Sequence, residues 1–493
     1  MYRRNTILLS AILILTSISS AQQEPEVQWT QIYGGGIYEF GRCVQQTADG
    51  GYIVVGDTDS FGTGSSFDVW LIKTDSEGDT LWTETYGSNG EERGFYVEQT
   101  TDGGYIITGM TSSYGSGGFD IYLIRTDAYG NLQWEKTFGG SFWDWGTSVQ
   151  QTTDGGYIVT GMTEPSGMGD WDAFLLKTDS SGEYEWLQIF GAEDYDNGMS
   201  VRQTSDGGYI VLADTYSYGA GSSDFWLIKT NSSGILSWTK TFGGTGTERS
   251  HSVRQTTDGG YILAGDTRSY GSGDYDVWLV KTDDNGDTVW SETFGGAEED
   301  CGCSVRQTND GGYIVAGYTE SFGAGNFDVW LLRTDNDGDT VWSKTIGGDD
   351  LDRGRSVDLT TDGGFIIAGS TYDYFAGEYN IYLIKLGDET SVSQHESGSE
   401  PGSINLNNFP NPFSSTTTIA FDIPSGSEGP VSLSIYDISG RIVTTLIDEP
   451  LDTGSHSTIW DRCDAGGRKL DPGVYFYRIE SSTFNIARRM ILL

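Results

Sequence analysis

The chain is written in short apolar runs separated by turn residues. In the stretch Ser304–Gly348 the runs are Ser304–Thr308, Tyr313–Thr319, Asp328–Thr334 and Thr340–Ile346. The second and third, YIVAGYT and DVWLLRT, are almost continuously apolar, the pattern of strands covered on both faces. The fourth, TVWSKTI, carries Lys344, with Lys240 and Lys136 at equivalent places; charge on an outer strand protects an exposed sheet edge. Gly, Asp, Asn and Ser fill the gaps, as expected of hairpin turns.

The pattern recurs along most of the chain. Asp-Gly-Gly-Tyr (Asp-Gly-Gly-Phe in the last copy) joins the first two runs, and its aspartate falls at 49, 102, 154, 206, 258, 310 and 362, one step of 53 residues and five of 52. Four strands per unit of this length predict a β-propeller. The seventh unit stops after its third strand, at Leu383-Ile384-Lys385. An unpartnered fourth-type strand, VQWTQIYGGG, stands at Val27–Gly36, ahead of the first unit. The fourth-strand tryptophans are Trp29, Trp82, Trp134, Trp186, Trp238, Trp290 and Trp342, so the N-terminal strand is expected to complete the last blade and close the ring. The fold expected is all-β: a seven-bladed β-propeller over residues 22–386, a polar linker over 387–403, and a small β-sandwich over 404–493.

Similarity between the blades separates scaffold from site. Asp-Gly-Gly-Tyr reads as a turn, with the Asp accepting local hydrogen bonds and Gly permitting positive φ. The third strand always carries a cation at its sixth position (Lys73, Arg125, Lys177, Lys229, Lys281, Arg333, Lys385), predicting a repeated ion pair with the turn aspartate. The turns between third and fourth strands are acidic. TDNDGD, with Asp335, Asp337 and Asp339, hints at a calcium site, although its Gly and final residue depart from the EF-hand loop. A shared acid precedes each first strand (Glu39, Glu92, Asp144, Asp196, Glu248, Asp300, Asp352), expected to bond to local backbone amides or to ring the axis with carboxylates.

The blades differ most in the loops of the opposite face. Trp143, Asp144 and Trp145 stand together, Trp171 follows Asp170, and Asp194 and Tyr195 adjoin in the next blade. Aromatic faces beside carboxylates suit sugar rings and cationic peptides alike, so these six (Trp143, Asp144, Trp145, Trp171, Asp194, Tyr195) form the expected ligand site, with ordinary packing between blades as the competing reading.

Charge and rare residues narrow the chemistry. Lys and Arg total 28 against 71 Asp and Glu, a net charge of −43, which opposes nucleic-acid binding. Only three histidines occur, and a nucleophilic triad would need His251. His251 occupies the place held by Cys303 in the next blade, so His251, Cys301 and Cys303 are a possible metal cluster or Cys–His pair, or merely small residues filling a loop. Arg3 and Arg4, the apolar stretch Ile7–Ile18 and Ser19-Ser20-Ala21 read as a signal peptide over residues 1–21. No later apolar run is long enough for a membrane helix.

The last ninety residues change character. NFPNPF (408–413), IYDISGRIV (435–443), Trp460-Asp461, GVYFYRI (473–479) and the closing ARRMILL resemble, in order, the type A C-terminal sorting domain of type IX secretion cargo. Arg462 departs from that pattern, which carries Gly after Trp-Asp. The resemblance implies recognition of residues 404–493 by the type IX machinery, passage across the outer membrane, and release or surface attachment. The 52-residue unit resembles GGY-rich repeats of uncharacterised secreted bacterial propellers and lacks the WD-repeat signature. The reading is an exported binding protein for a glycan or protein, with no certain cofactor; its rivals are a polysaccharide-active enzyme using channel-face carboxylates and a purely structural or adhesive surface protein. Deleting residues 404–493 is expected to leave the chain in the periplasm, as read by cell fractionation; a truncated chain at the surface or in the medium contradicts the assignment.

Overall fold

A computed structural model describes residues 24–64, 66–164, 171–373, 377–389, 406–409, 416–423, 429–437, 441–470, 473–481 and 484–492. The expected signal peptide, most of the expected linker and Asp170 lie outside the described residues. The chain divides into two compact units, Met1–Ser391 and Val392–Leu493.

In the first unit the described residues form seven four-stranded antiparallel sheets. Six are built from consecutive strands, here called a to d. In the sixth blade these are Asp300–Gln307, Tyr313–Thr319, Asp328–Thr334 and Thr340–Ile346. The seventh sheet takes its outer strand from the chain's start: Val27–Tyr33 pairs antiparallel with Glu378–Leu386, Trp29 opposite Lys385. First and last blades then share one core, in which Val44, Tyr52 and Trp70 pack with Ile366, Ile381 and Leu383. The ring is closed by packing as well as by pairing.

One contact repeats at every junction between blades. The strand-d tryptophan of one blade meets the ring of the Asp-Gly-Gly-Tyr tyrosine of the next, with centroids 5.7–6.2 Å apart; the series starts with Trp29 on Tyr52 and ends with Trp342 on Phe365. Tilted and edge-on geometries of this kind add to the apolar burial. The turn after strand c lies against the same indole. A Cβ on Gly286, at φ +79°, would stand 2.7 Å from Trp238, so both the close approach and the left-handed backbone require glycine.

Beside this contact lies the predicted ion pair, present in all seven blades. Lys281 is typical: its buried ammonium sits 2.8 Å from Asp258 and also donates to the Thr282 carbonyl. Desolvation pushes the Asp258 carboxyl up, but Lys281 and the Thr256 hydroxyl outweigh it and hold the group at about 2.

Strand a differs from its expected bounds. It begins four residues earlier, at Asp300 in the sixth blade, because a β-bulge carries it past Gly302. The shared acids are therefore strand residues. All seven are buried, and each accepts a backbone amide from four residues back, such as Gly296 to Asp300 at 2.8 Å. The acid of each of the first six blades also accepts a hydrogen bond from the hydroxyl of the threonine closing strand b. Of the two readings of this ring, backbone bonding is the one the structure adopts.

In the second unit a three-stranded sheet (Leu406–Phe409, Thr417–Ile423, Gly454–Trp460) faces a four-stranded one (Gly429–Asp437, Ile442–Leu451, Gly473–Glu480, Asn485–Leu492). Ile419, Phe421 and Trp460 from the first share a core with Leu433, Ile435 and Tyr477 from the second, which makes a sandwich. Arg462 is the one non-glycine at positive φ among the described residues, at +58°. It adopts the left-handed turn for which the sorting-domain pattern uses glycine.

The carboxyls give a pH prediction. Burial, and next to it the charge of Glu92 or Glu248, raises Asp68 and Asp224 to about 6, against 3.8 unperturbed. The folded chain binds these protons more tightly than the unfolded chain, so stability rises as pH falls from 7 through 6 toward 4. The turn aspartates act oppositely: Asp206 and Asp258, held at about 2, contribute stability that is lost as pH falls from 4 through 2. Thermal melts should therefore show a higher midpoint at pH 5 than at pH 7 and a collapse near pH 2; a midpoint falling steadily from pH 7 contradicts the assignment.

Candidate functional site

The bulge in strand a builds the channel. It leaves one residue per blade without a ladder partner: Arg42, Phe95, Thr147, Met199, His251, Cys303 and Arg355. All seven line one axial cavity of about 310 Å³. Bulges re-aim side chains in this way. Arg202, Arg254 and Arg306, three residues further along their strands, join the lining. Five arginines thus face a cavity inside a protein of net charge −43, and no carboxylate is among the described lining residues. The seven shared acids, one reading of which ringed the axis with carboxylates, are turned into the scaffold instead.

On one wall of the channel four reactive groups meet. His251 Nε2 is 2.9 Å from Asp266 Oδ1 and 3.5 Å from Cys301 Sγ. Cys301 Sγ is 3.2 Å from the same Asp266 oxygen and 3.4 Å from Cys303 Sγ. Arg249 holds the other oxygen of Asp266. Asp266 and Cys301 are buried. The Cys301 hydrogen bond, and after it the Arg355 guanidinium, draws the Cys303 thiol down to about 6, while burial pushes Cys301 up. This is not a nucleophilic triad. A triad histidine bonds its acid through one ring nitrogen and its nucleophile through the other, whereas here both approach Nε2. All four cysteines are free thiols.

The expected aromatic residues do come together. Phe119, Trp143, Trp145, Trp171, Tyr195 and Tyr216 form a continuous series of ring contacts, with centroids 5.6–6.3 Å apart. Trp143 and Trp145 are stacked at 6.1 Å. Trp143, Tyr195 and Tyr216 are 44, 45 and 42% exposed. Trp145 also lines the channel, so the arc runs from the rim to the cavity, and its buried indole N–H has no hydrogen-bond acceptor among the described residues. Asp194 is exposed at the arc's end. Asp144 stands apart: it is buried, and accepts the Gly140 amide at 2.8 Å and the Thr163 hydroxyl. Phe119, which directly precedes a strand, and Tyr216, which directly follows one, were not singled out in the sequence.

A larger cleft, about 490 Å³, opens between the second and third blades, with Ile121, Phe138, Phe142, Phe174 and Leu187 in its mostly apolar lining. At the suggested calcium loop, Asp335 Oδ1 accepts the amides of Asp337 and Asp339, both at 2.9 Å. Asn231 makes the same two bonds in the fourth blade, so the loop holds its shape with a neutral side chain. Among the described residues the three metal-ligand side chains whose donor atoms converge, within 4.8 Å, are His251, Asp266 and Cys301.

Comparison with known proteins bears on the C-terminal unit. Residues 407–493 match the family described as the secretion system C-terminal sorting domain. The chain carries a type IX sorting domain and is exported across the outer membrane, to the cell surface or to release. Over 188 residues it is 29% identical to the regulatory protein FlaEY of Caulobacter vibrioides, a match covering 32% of this chain and only 19% of FlaEY. Similar solved structures include a fungal alcohol oxidase of the AA5 family in complex with copper (TM-score 0.44, 11% identity, 95% of this chain and 99% of that one). Others are PorZ, a surface component of the type IX secretion system of Porphyromonas gingivalis (0.25, 9%, 92% and 81%), and the β-propeller domain of the Trilobed protease from Pyrococcus furiosus (0.37, 10%, 76% and 99%). Likeness at this level carries no inference about chemistry.

Proposed function

We propose that this exported protein is a carbohydrate-binding propeller, taking a saccharide chain along the arc Trp143, Trp145, Trp171, Tyr195 and Tyr216. The observation that carries the reading is the arc itself: consecutive aromatic rings in contact on two adjacent blades, the third and fourth, with Trp143, Tyr195 and Tyr216 open to solvent. Aromatic residues in a folded core are covered; a contiguous exposed series marks a binding surface. Sugar rings present C–H faces that stack on indole and phenol rings, and their hydroxyls donate to carboxylates such as the exposed Asp194. Several rings in line suit an extended chain of sugars better than a single one. The sorting domain delivers this surface to the outside of the cell, where polysaccharide is met.

A glycan array probed with the full chain tests the reading. Trp143→Ala and Trp171→Ala are each expected to weaken the bound glycan about tenfold or more, the scale of a truncated aromatic hot spot, with an unchanged melting midpoint. Binding that survives both substitutions, or no binding to any glycan, contradicts it.

A further inference from the structure

We propose that His251, Cys301 and Cys303, with Asp266, form a site for a thiophilic divalent metal ion of the zinc class in the wall of the channel. Two thiols, an imidazole and a carboxylate are the donors such an ion takes in four-coordinate sites. They come from three strands of two blades: His251 on strand a of the fifth, Asp266 on strand b of the fifth, and Cys301 and Cys303 on strand a of the sixth. The three donor separations among His251, Asp266 and Cys301 run from 2.9 to 3.5 Å, and Cys303 Sγ stands beside them, 3.4 Å from Cys301 Sγ. Donors at roughly 2.0–2.3 Å from a shared tetrahedral centre lie roughly 3.3–3.8 Å apart, so an outward movement of a few tenths of an ångström admits an ion. The donor atoms of His251, Asp266 and Cys301 all lie within 4.8 Å of one another, close enough to share one centre. His251 and Cys303 line the channel cavity, which gives an ion its approach.

The scaffold offers an internal control. Asp57 in the first blade occupies the place of Asp266 in the fifth. Its partners are Arg42, at the position of His251, and Arg93 of the next blade, at the position of Cys301. Two guanidinium groups suffice to hold a buried carboxylate there. At the junction of the fifth and sixth blades both arginines are replaced by metal-ligand types, and a second cysteine is added at the adjacent bulge. Packing does not demand this change, since the arginine arrangement serves the same backbone. Arg249, where the first blade has Phe40, supplies a countercharge to the far oxygen of Asp266, the kind of outer contact that orients a ligating group. This inference is independent of the glycan reading, which uses other residues.

The test is a titration of the full chain, purified under reducing conditions and stripped with chelator, with Co²⁺ alone. One equivalent is expected to bind with a thiolate-to-cobalt charge-transfer absorption that Zn²⁺ abolishes. Cys301→Ser and Cys303→Ser should each roughly halve that absorption and weaken binding at least about tenfold, while the Cys43→Ser/Cys463→Ser double variant keeps both. Zn²⁺ should also raise the melting midpoint of the unsubstituted chain, a readout that needs no variant to fold. The proposal is overturned by the absence of the charge-transfer band, by its survival in both single variants, by an unmoved midpoint, or by a Cys301–Cys303 disulfide in the native protein.

Discussion

Each blade is held to the next by a strand-d indole set against the tyrosine that opens the next blade's strand b. The glycine of the adjoining turn lies under the same indole, and a buried cation fixes the turn aspartate beside it. A single sheet of four short strands exposes two apolar faces and is not stable alone; it needs a neighbour on each side. A row of blades would leave two faces bare, and a closed ring leaves none. The contact of Trp29 with Tyr52 is therefore the one that closes the ring, because it joins the last blade to the first through a strand borrowed from the other end of the unit.

This arrangement divides labour between the ends and the axis of the ring. The Asp-Gly-Gly-Tyr end repeats because every junction imposes the same geometry. The positions along the channel and on the opposite face are freed from that demand. There the blades diverge into an aromatic arc, a cationic lining and a cluster of thiols, imidazole and carboxylate. Five arginines of the lining are set within a strongly acidic protein, and two of them are paired with carboxylates behind the wall, Arg42 with Asp57 and Arg306 with Asp358.

Much of this was legible in the residues. The step of 52, the unpaired Val27–Tyr33 strand and the invariant cation on strand c announce the ring, its closure and its ion pairs. The aromatic arc was visible in part, since Trp143, Trp145, Trp171 and Tyr195 fall in loops that vary. Asp144 read as a companion of those rings because it lies between two tryptophans in sequence. Strand alternation sends it inward, to the Gly140 amide. The bulge was hidden, because an extra residue in a strand leaves no mark in composition. Its trace is the residue three beyond the shared acid: Arg, Phe, Thr, Met, His, Cys and Arg around the ring, as varied as the residue directly after the acid. Loop variation drew attention first, and the channel lining lay in a strand.

The central claim, that the ring is closed by the strand Val27–Tyr33, is tested most directly by amide hydrogen exchange on a chain lacking residues 22–36. The account predicts that the amides of Glu378–Leu386 lose protection and that the melting midpoint falls, while Asp224–Thr230, a strand c remote from the gap, keeps its protection at low temperature. Equal protection of Glu378–Leu386 in the shortened and complete chains would contradict closure by that strand.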